Sequence, residues 1–252
     1  MTQVNSRRWL TFLLDFLKTI ETFDYAKINP LQQRMLQMFI TTIWDKPLAN
    51  VNEAELRQIF TPLVQSPVMR DELIEVLELC RNRINFIDTT LQLGFACPLD
   101  LHCNYSRDQI LAALDHPNPA SIREGVKWLP EKNIDVLFVT LNKSDKEYSP
   151  TTLYDDYSIN DELFHWQSQS TTSESSPTGQ RYINHRKNGS KILLFVRENK
   201  KDSMTGIASP YTFLGTGNYV EHSGSRPMNI IWKLDYRIPA RFIKKTNKLL
   251  AC

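Results

Sequence analysis

Apolar and polar positions fall into two regimes along the chain. In the first, apolar residues recur every three or four positions. Trp9, Leu10, Phe12, Leu13, Phe16, Leu17 and Ile20 form one such stripe, and Leu31 to Trp44 repeats it through Met35, Leu36, Met38, Phe39 and Ile43. That period predicts amphipathic helices. A third helix opens at Val51 to Ala54 with Asn52 as N-cap, and a fourth covers Asp71 to Phe86 with Leu73, Ile74, Val76, Leu77 and Ile84 inward. No glycine occurs in residues 1–93, which suits packed helices. The methionines and aromatics here read as core.

The second regime begins near Gly94, and all eight glycines lie from there onward. Ser106 to Leu114 keeps the helical pattern, with Ser106 as cap and Ile110, Leu111 and Leu114 as its stripe. After it the apolar runs shorten and become β-branched. Asp135 to Leu141 and Lys191 to Arg197 predict buried strands, and Pro210 to Gly215 and Met228 to Leu234 predict two more. Leu163 to Gln169 alternates with period two: Phe164, Trp166 and Ser168 share one face, while Leu163, His165, Gln167 and Gln169 take the other. The expected fold class is α+β, an N-terminal helical bundle followed by a small mixed β-barrel with flanking helices.

Charge refines this picture modestly. The net charge is +2 and the pI about 8.3, too mild to announce a nucleic-acid protein. Residues 1–94 hold 10 Lys and Arg against 11 Asp and Glu, and the remainder hold 20 against 17. From Tyr236 onward Arg237, Arg241, Lys244, Lys245 and Lys248 meet no acid, a positive tail that can face phosphate or simply solvent. No window is long and apolar enough to span a membrane. Arg7 and Arg8 precede an amphipathic stretch rather than a signal-peptide core, and the four cysteines lack a disulfide-framework spacing. A reducing cytoplasm is the expected location.

Catalytic signatures fail. His185 and Lys187 begin an H-x-K-x4-D phosphodiesterase motif, but its acid position is Ile192. Cys97, His102 and Cys103 offer three zinc-type ligands where a tetrahedral site wants four, with only Cys80 and Cys252 left to complete it, so a partly buried thiol pair is expected instead. No phosphate-cradling glycine loop occurs. No metal or cofactor is expected for this stretch of chain.

Binding chemistry is richer. Tyr154, Asp155, Asp156 and Tyr157 set two aromatics around two carboxylates, able to stack on a base and to accept from its exocyclic amine. His165 and Gln167 are poor core residues unless paired, so they hold a loop or line a pocket. The Ser168 to Pro177 loop reads as flexible, and its hydroxyls suit phosphate contact. The expected base pocket comprises Tyr154, Asp155, Asp156, Tyr157, His165, Trp166, Gln167 and Tyr211, with Phe213 and Tyr219 as alternative apolar walls. Trp166 with Tyr157 or Tyr154 would stack, Asp155 or Asp156 would accept from the amine, and Gln167 or His165 would read another edge. The expected backbone and groove contacts are Ser168, Gln169, Ser170, Thr171, Gln180, Arg181, Lys200, Lys201 and Arg226.

Seven segments together resemble a known family: Tyr105 to Leu114 (YSRDQILAAL), Arg123 to Val126 (REGV), Asp135 to Lys143 (DVLFVTLNK), Ser149 to Tyr157 (SPTTLYDDY), Leu163 to Gln169 (LFHWQSQ), Ser176 to Arg181 (SPTGQR) and His222 to Met228 (HSGSRPM). They are similar to the C-terminal domain of large bacterial proteins carrying a phospholipase-D-type nuclease and a superfamily 2 helicase. Some of those proteins are ATP-dependent type IV restriction endonucleases that cut DNA containing 5-methylcytosine or 5-hydroxymethylcytosine. The resemblance implies residues 1–94 as a helical connector and 95–252 as a recognition domain like the SET-and-RING-associated (SRA) fold, which flips a modified cytosine out of duplex DNA. It implies that this chain recognises rather than cuts, with linked helicase and nuclease domains elsewhere. ATP and a divalent metal would then belong to the full-length enzyme. The rival expectations are a helicase-docking interaction domain and a reader of another DNA modification.

Overall fold

The computed structural model describes residues 3–44, 51–122, 124–142 and 156–246. It divides into two compact units, residues 1–123 and 124–252.

The first unit is helical. Its elements are α1 (Arg7–Lys18), α2 (Pro30–Trp44), α3 (Glu53–Gln65), α4 (Pro67–Asn82) and α5 (Arg107–Ala113), with short strands β1 (Thr89–Thr90), β2 (Asp100–Leu101) and β3 (Asn104–Tyr105). The expected caps are present. Asn52 and Glu55 form a reciprocal capping box at α3, and Ser106 and Gln109 form another at α5. The α1 stripe is buried through Trp9, Leu10, Leu13, Phe16 and Leu17. Fully buried Asp100 accepts from Ser6 Oγ at 2.7 Å and pairs with Arg8 at 2.7 Å. That network ties residues 97–105 to the start of α1. The unit boundary therefore falls at Arg123, later than the 94/95 division read from the sequence. Among the described residues, no helix is long and apolar enough to cross a membrane.

The second unit is built on a mixed sheet of β4 (Val126–Leu129), β5 (Ile134–Thr140), β6 (Tyr157–Ser158), β7 (Leu163–Gln167), β8 (Lys191–Arg197), β9 (Tyr211–Ser223) and β10 (Asn229–Leu234), with helices α6 (Pro177–Ile183) and α7 (Ala240–Thr246). The order across the sheet is β4-β5-β8-β9-β10-β7-β6. Only β5 and β8 run parallel among these neighbours, and the chain between them passes through β6, β7 and α6. With β4 and β6 at opposite ends, the described strands make an open sheet. The expected closed barrel is thus corrected to a mixed sheet covered on one face by α6. That face holds one core, of Leu137, Val139, Ile192, Leu194, Ile230, Trp232, Phe164 and Trp166, with Tyr182 from α6 and Phe242 from α7, while Phe138, Phe195, Phe213 and Tyr211 are buried together on the other side of β5, β8 and β9.

Candidate nucleic-acid interface

Strand β7 sorts its residues by alternation. Phe164 and Trp166 are 0% and 4% exposed and enter the core. Trp166 meets Tyr182 edge-on at 5.5 Å and lies 6.3 Å from Trp232. His165 and Gln167 point the other way and stay half-buried.

On that second face the register assembles a small platform. Tyr157 of β6 pairs with His165, and their rings stack at 4.6 Å with 15° between planes. Asn229 of β10 pairs with Gln167, whose Nε2 donates to Asn229 Oδ1 at 3.0 Å. The backbone N–H of Gln167 donates at 2.9 Å to Oδ1 of Asp156, which is only 8% exposed and is thereby anchored to the end of β7. Two amides and two flat rings thus stand on one sheet face, a set of groups able to stack on a base and read its edges, with the buried Asp156 carboxylate at the end of β7.

The loop after β7 is anchored, contrary to its floppy composition. Ser168 is buried; its N–H donates to Met228 O, and its Oγ accepts from Met228 N, both at 2.9 Å. Arg226 N donates to Thr172 O at 3.0 Å. Ser176 caps α6 by accepting from Gly179 N at 3.1 Å. At Gly179 a Cβ would meet Ser173 O at 2.0 Å, so only glycine permits this approach. Glu174 lies 3.7 Å from His222 Nε2. The hydroxyl turn (Gln169, Ser170, Thr171) and exposed Arg226 are therefore brought together at the β7 end of the platform.

Other expected residues stand elsewhere. Tyr211 and Phe213 are 2% and 0% exposed, so burial removes them from a pocket wall. Tyr219 is half-buried, its hydroxyl 2.6 Å from His222 Nδ1. Lys200 and Lys201 sit in the loop before β9, whereas Arg226 follows its end. The thirteen residues of β9 lie between the two loops. Tyr154 and Asp155 lie outside the described residues.

Arg181 is not a free phosphate contact. It binds Asp135 bidentately, Nε to Oδ2 at 2.7 Å and Nη2 to Oδ1 at 2.9 Å, and lies 4.3 Å over the Trp128 ring. Asp135 is fully buried. Burial pushes its carboxyl up, and the guanidinium works against that rise. Gln180 is likewise engaged, donating to Glu174 O and accepting from Asn184.

The histidine of the incomplete phosphodiesterase motif is scaffold. His185 is 3% exposed, and its Nε2 accepts from Tyr219 N at 3.0 Å. Nδ1 then carries the proton and donates to Ser190 O at 3.2 Å. Burial holds this imidazole below its ordinary range. Cys97 and Cys103 are buried, and burial pushes the Cys97 thiol up to about 11, so it is not a ready thiolate. Among the described residues, no three His, Cys, Asp or Glu side chains gather as a metal site.

Sequence reasoning missed Asn229 and the partners of Arg181. Asn229 stands opposite Gln167 only because β10 pairs with β7 across 62 residues of sequence, which no local pattern signals. Asp135, a charge opening an apolar run, was the one signal for a buried partner.

No curated protein matches this chain. A family model, described as a domain of unknown function (DUF3427), matches residues 99–245, more than half of the sequence. It takes in β2 to α5 of the helical unit and almost all of the sheet unit. The chain belongs to the DUF3427 family.

Proposed function

We propose that this chain is a non-enzymatic target-recognition module for duplex DNA containing 5-methylcytosine or 5-hydroxymethylcytosine. The observation that carries the proposal is the platform of Tyr157, His165, Gln167 and Asn229, with Asp156 anchored at the end of β7, beside a turn bearing Ser170, Thr171 and exposed Arg226. The rings offer a stacking surface, the carboxylate an acceptor for the cytosine amine, and the amides both donors and acceptors. The hydroxyls and Arg226 suit the backbone. Extruding a base costs a few kcal/mol, and burying a methyl group returns only about 0.8 kcal/mol. Selectivity must therefore be summed over several contacts. Cutting would fall to linked helicase and nuclease domains, as the sequence resemblance implies.

Fluorescence anisotropy with three duplexes, differing at one cytosine as unmodified, 5-methyl and 5-hydroxymethyl, tests the reading. About a tenfold preference for a modified duplex is expected, lost in His165→Ala and Asp156→Asn. Equal and salt-steep binding to all three would replace it with a general DNA clamp. A second reading, docking onto a partner protein, is favoured by exposed Val64, Val68, Met69 and Leu79 on α3 and α4. Absence of any DNA binding would leave that reading standing.

A further inference from the structure

The sheet face opposite the platform carries a second feature. Trp128 and Asp135 are direct partners across β4 and β5. Asp135 alternates with core residues Leu137 and Val139, so both project toward α6. There Trp128 borders an open cleft of about 630 Å³, closed on the other side by α6 and the turn that follows it, and Asp135 reaches that cleft only through Arg181. Its volume lies within the range of small-molecule sites, while its lining is mostly polar and its mouth open.

Its floor is rigid and flat. The bidentate pair with buried Asp135 fixes the Arg181 guanidinium plane against the Trp128 indole. A buried ion pair is weak evidence of stabilisation, because desolvation offsets most of the attraction. Its clearest consequence here is positional. It also matches the Arg181 charge, so the floor does not call for an anion.

The rim differs. Lys187 is exposed and, among the described residues, makes no ion pair or hydrogen bond. Asn133 spends Nδ2 on Asn188 O, and Asn184 spends Nδ2 on Gln180. Their Oδ1 atoms and the Asn188 side chain have no hydrogen-bond partner among the described residues. The cleft thus offers acceptors and donors on short fixed side chains, one aromatic wall, and one unmatched cation.

We propose that this cleft binds a mononucleotide unit. The base edge would meet the amides, which can pair with either donors or acceptors, with its ring near the Trp128 and Arg181 stack and its single phosphate on Lys187. One unmatched cation fits one phosphate rather than a backbone track. The inference does not rest on the duplex-reading proposal, which uses the other face of the sheet.

The test is an NMR titration of the full chain with dCMP, dAMP, deoxycytidine and inorganic phosphate. It follows the Trp128 indole N–H, assigned through Trp128→Phe. A saturable shift is expected with at least one nucleotide, about tenfold weaker for the nucleoside, and reduced to the nucleoside level by Lys187→Ala. Lys187 is exposed, so this variant keeps the fold. No saturable Trp128 shift with either nucleotide would overturn the proposal, as would unchanged affinity in Lys187→Ala. A shift produced equally by inorganic phosphate would reduce the cleft to an anion patch and overturn it too. Duplex binding without these shifts removes the cleft proposal alone, and these shifts without duplex binding remove the duplex proposal alone.

Discussion

On β7 the two faces of five residues have opposite fates. Trp166 lies against Tyr182 and Trp232 with 4% of its surface exposed, while His165 and Gln167, one residue either side, stay half-buried beside Tyr157 and Asn229. The more base-like side chain is the one that is unavailable. What the strand packs against decides this, because α6 supplies Tyr182 to one face only. At the β7 end of the sheet the aromatic with the largest apolar area takes the covered face, whereas at β5, β8 and β9 both faces bury aromatics, Phe138, Phe195 and Phe213 among them.

Three stability measurements can break that division. Trp166→Ala should cost about 3–5 kcal/mol in denaturant unfolding, because it empties a site between Tyr182 and Trp232. A loss below about 1 kcal/mol would place the indole at the surface after all. Arg181→Ala should cost about 3 kcal/mol, because it strands the fully buried Asp135 carboxylate. Asp135→Asn in the same background should recover part of that loss, and failure to recover would mean that the charge is not the reason. Gly179→Ala should cost about 2 kcal/mol by forcing the Ser173 carbonyl away from α6. A neutral Gly179→Ala would show the 168–176 loop to be as loose as its composition suggests.

That loop marks where sequence reading stops. Periodicity and capping chemistry are local, and they carried α1 to α5, the Asn52 and Ser106 caps and the runs that became β5, β8 and β10, whereas α6 lies in a stretch that reads as the close of a polar loop. A stretch of Ser and Thr reads as floppy because nothing in it is apolar. Its hydroxyls nevertheless bond backbone within a few residues, as Ser176 does to Gly179, or between strands distant in sequence, as Ser168 does to Met228 beside the β7–β10 pair. The strand expected to stop at Gly215 continues to Ser223, since glycine inside a strand marks a bulge as readily as an end, and the register shifts between Leu194 and Phe195 opposite it. Barrel or open sheet is a matter of strand order, which no local pattern encodes. For the site, alternation put His165 and Gln167 together, but Asn229 and the Asp135 partner of Arg181 lie 62 and 46 residues away from those they bind.

On the platform face the expected stability effects are small and the binding effects large. His165→Ala and Gln167→Ala should each cost roughly 1 kcal/mol or less, since half-buried positions lose little packing. If the platform reads bases, both should still weaken duplex binding. A loss of several kcal/mol in either variant with duplex binding unchanged would invert the assignment of the two faces.

The smallest expected effect concerns His185, a second imidazole on the core side. Burial is the main cause of its depressed affinity for a proton, with Arg186 adding to it and the Ser190 carbonyl opposing it. In the unfolded chain this histidine titrates near 6.5, and in the folded protein it titrates lower. Between those two values the unfolded state holds a proton that the folded state refuses, so stability rises with pH there. The contribution is complete above pH 6.5 and is lost as pH falls through the folded value. Folded His185 spends Nε2 as an acceptor from Tyr219 N, and protonation would turn that contact into two facing donors. Unfolding curves taken in steps below pH 6.5 should therefore fall more steeply for the natural protein than for His185→Asn. Parallel pH slopes would mean that the imidazole can turn outward and charge in water, and that the contact between α6 and β9 through Tyr219 is not held by this ring.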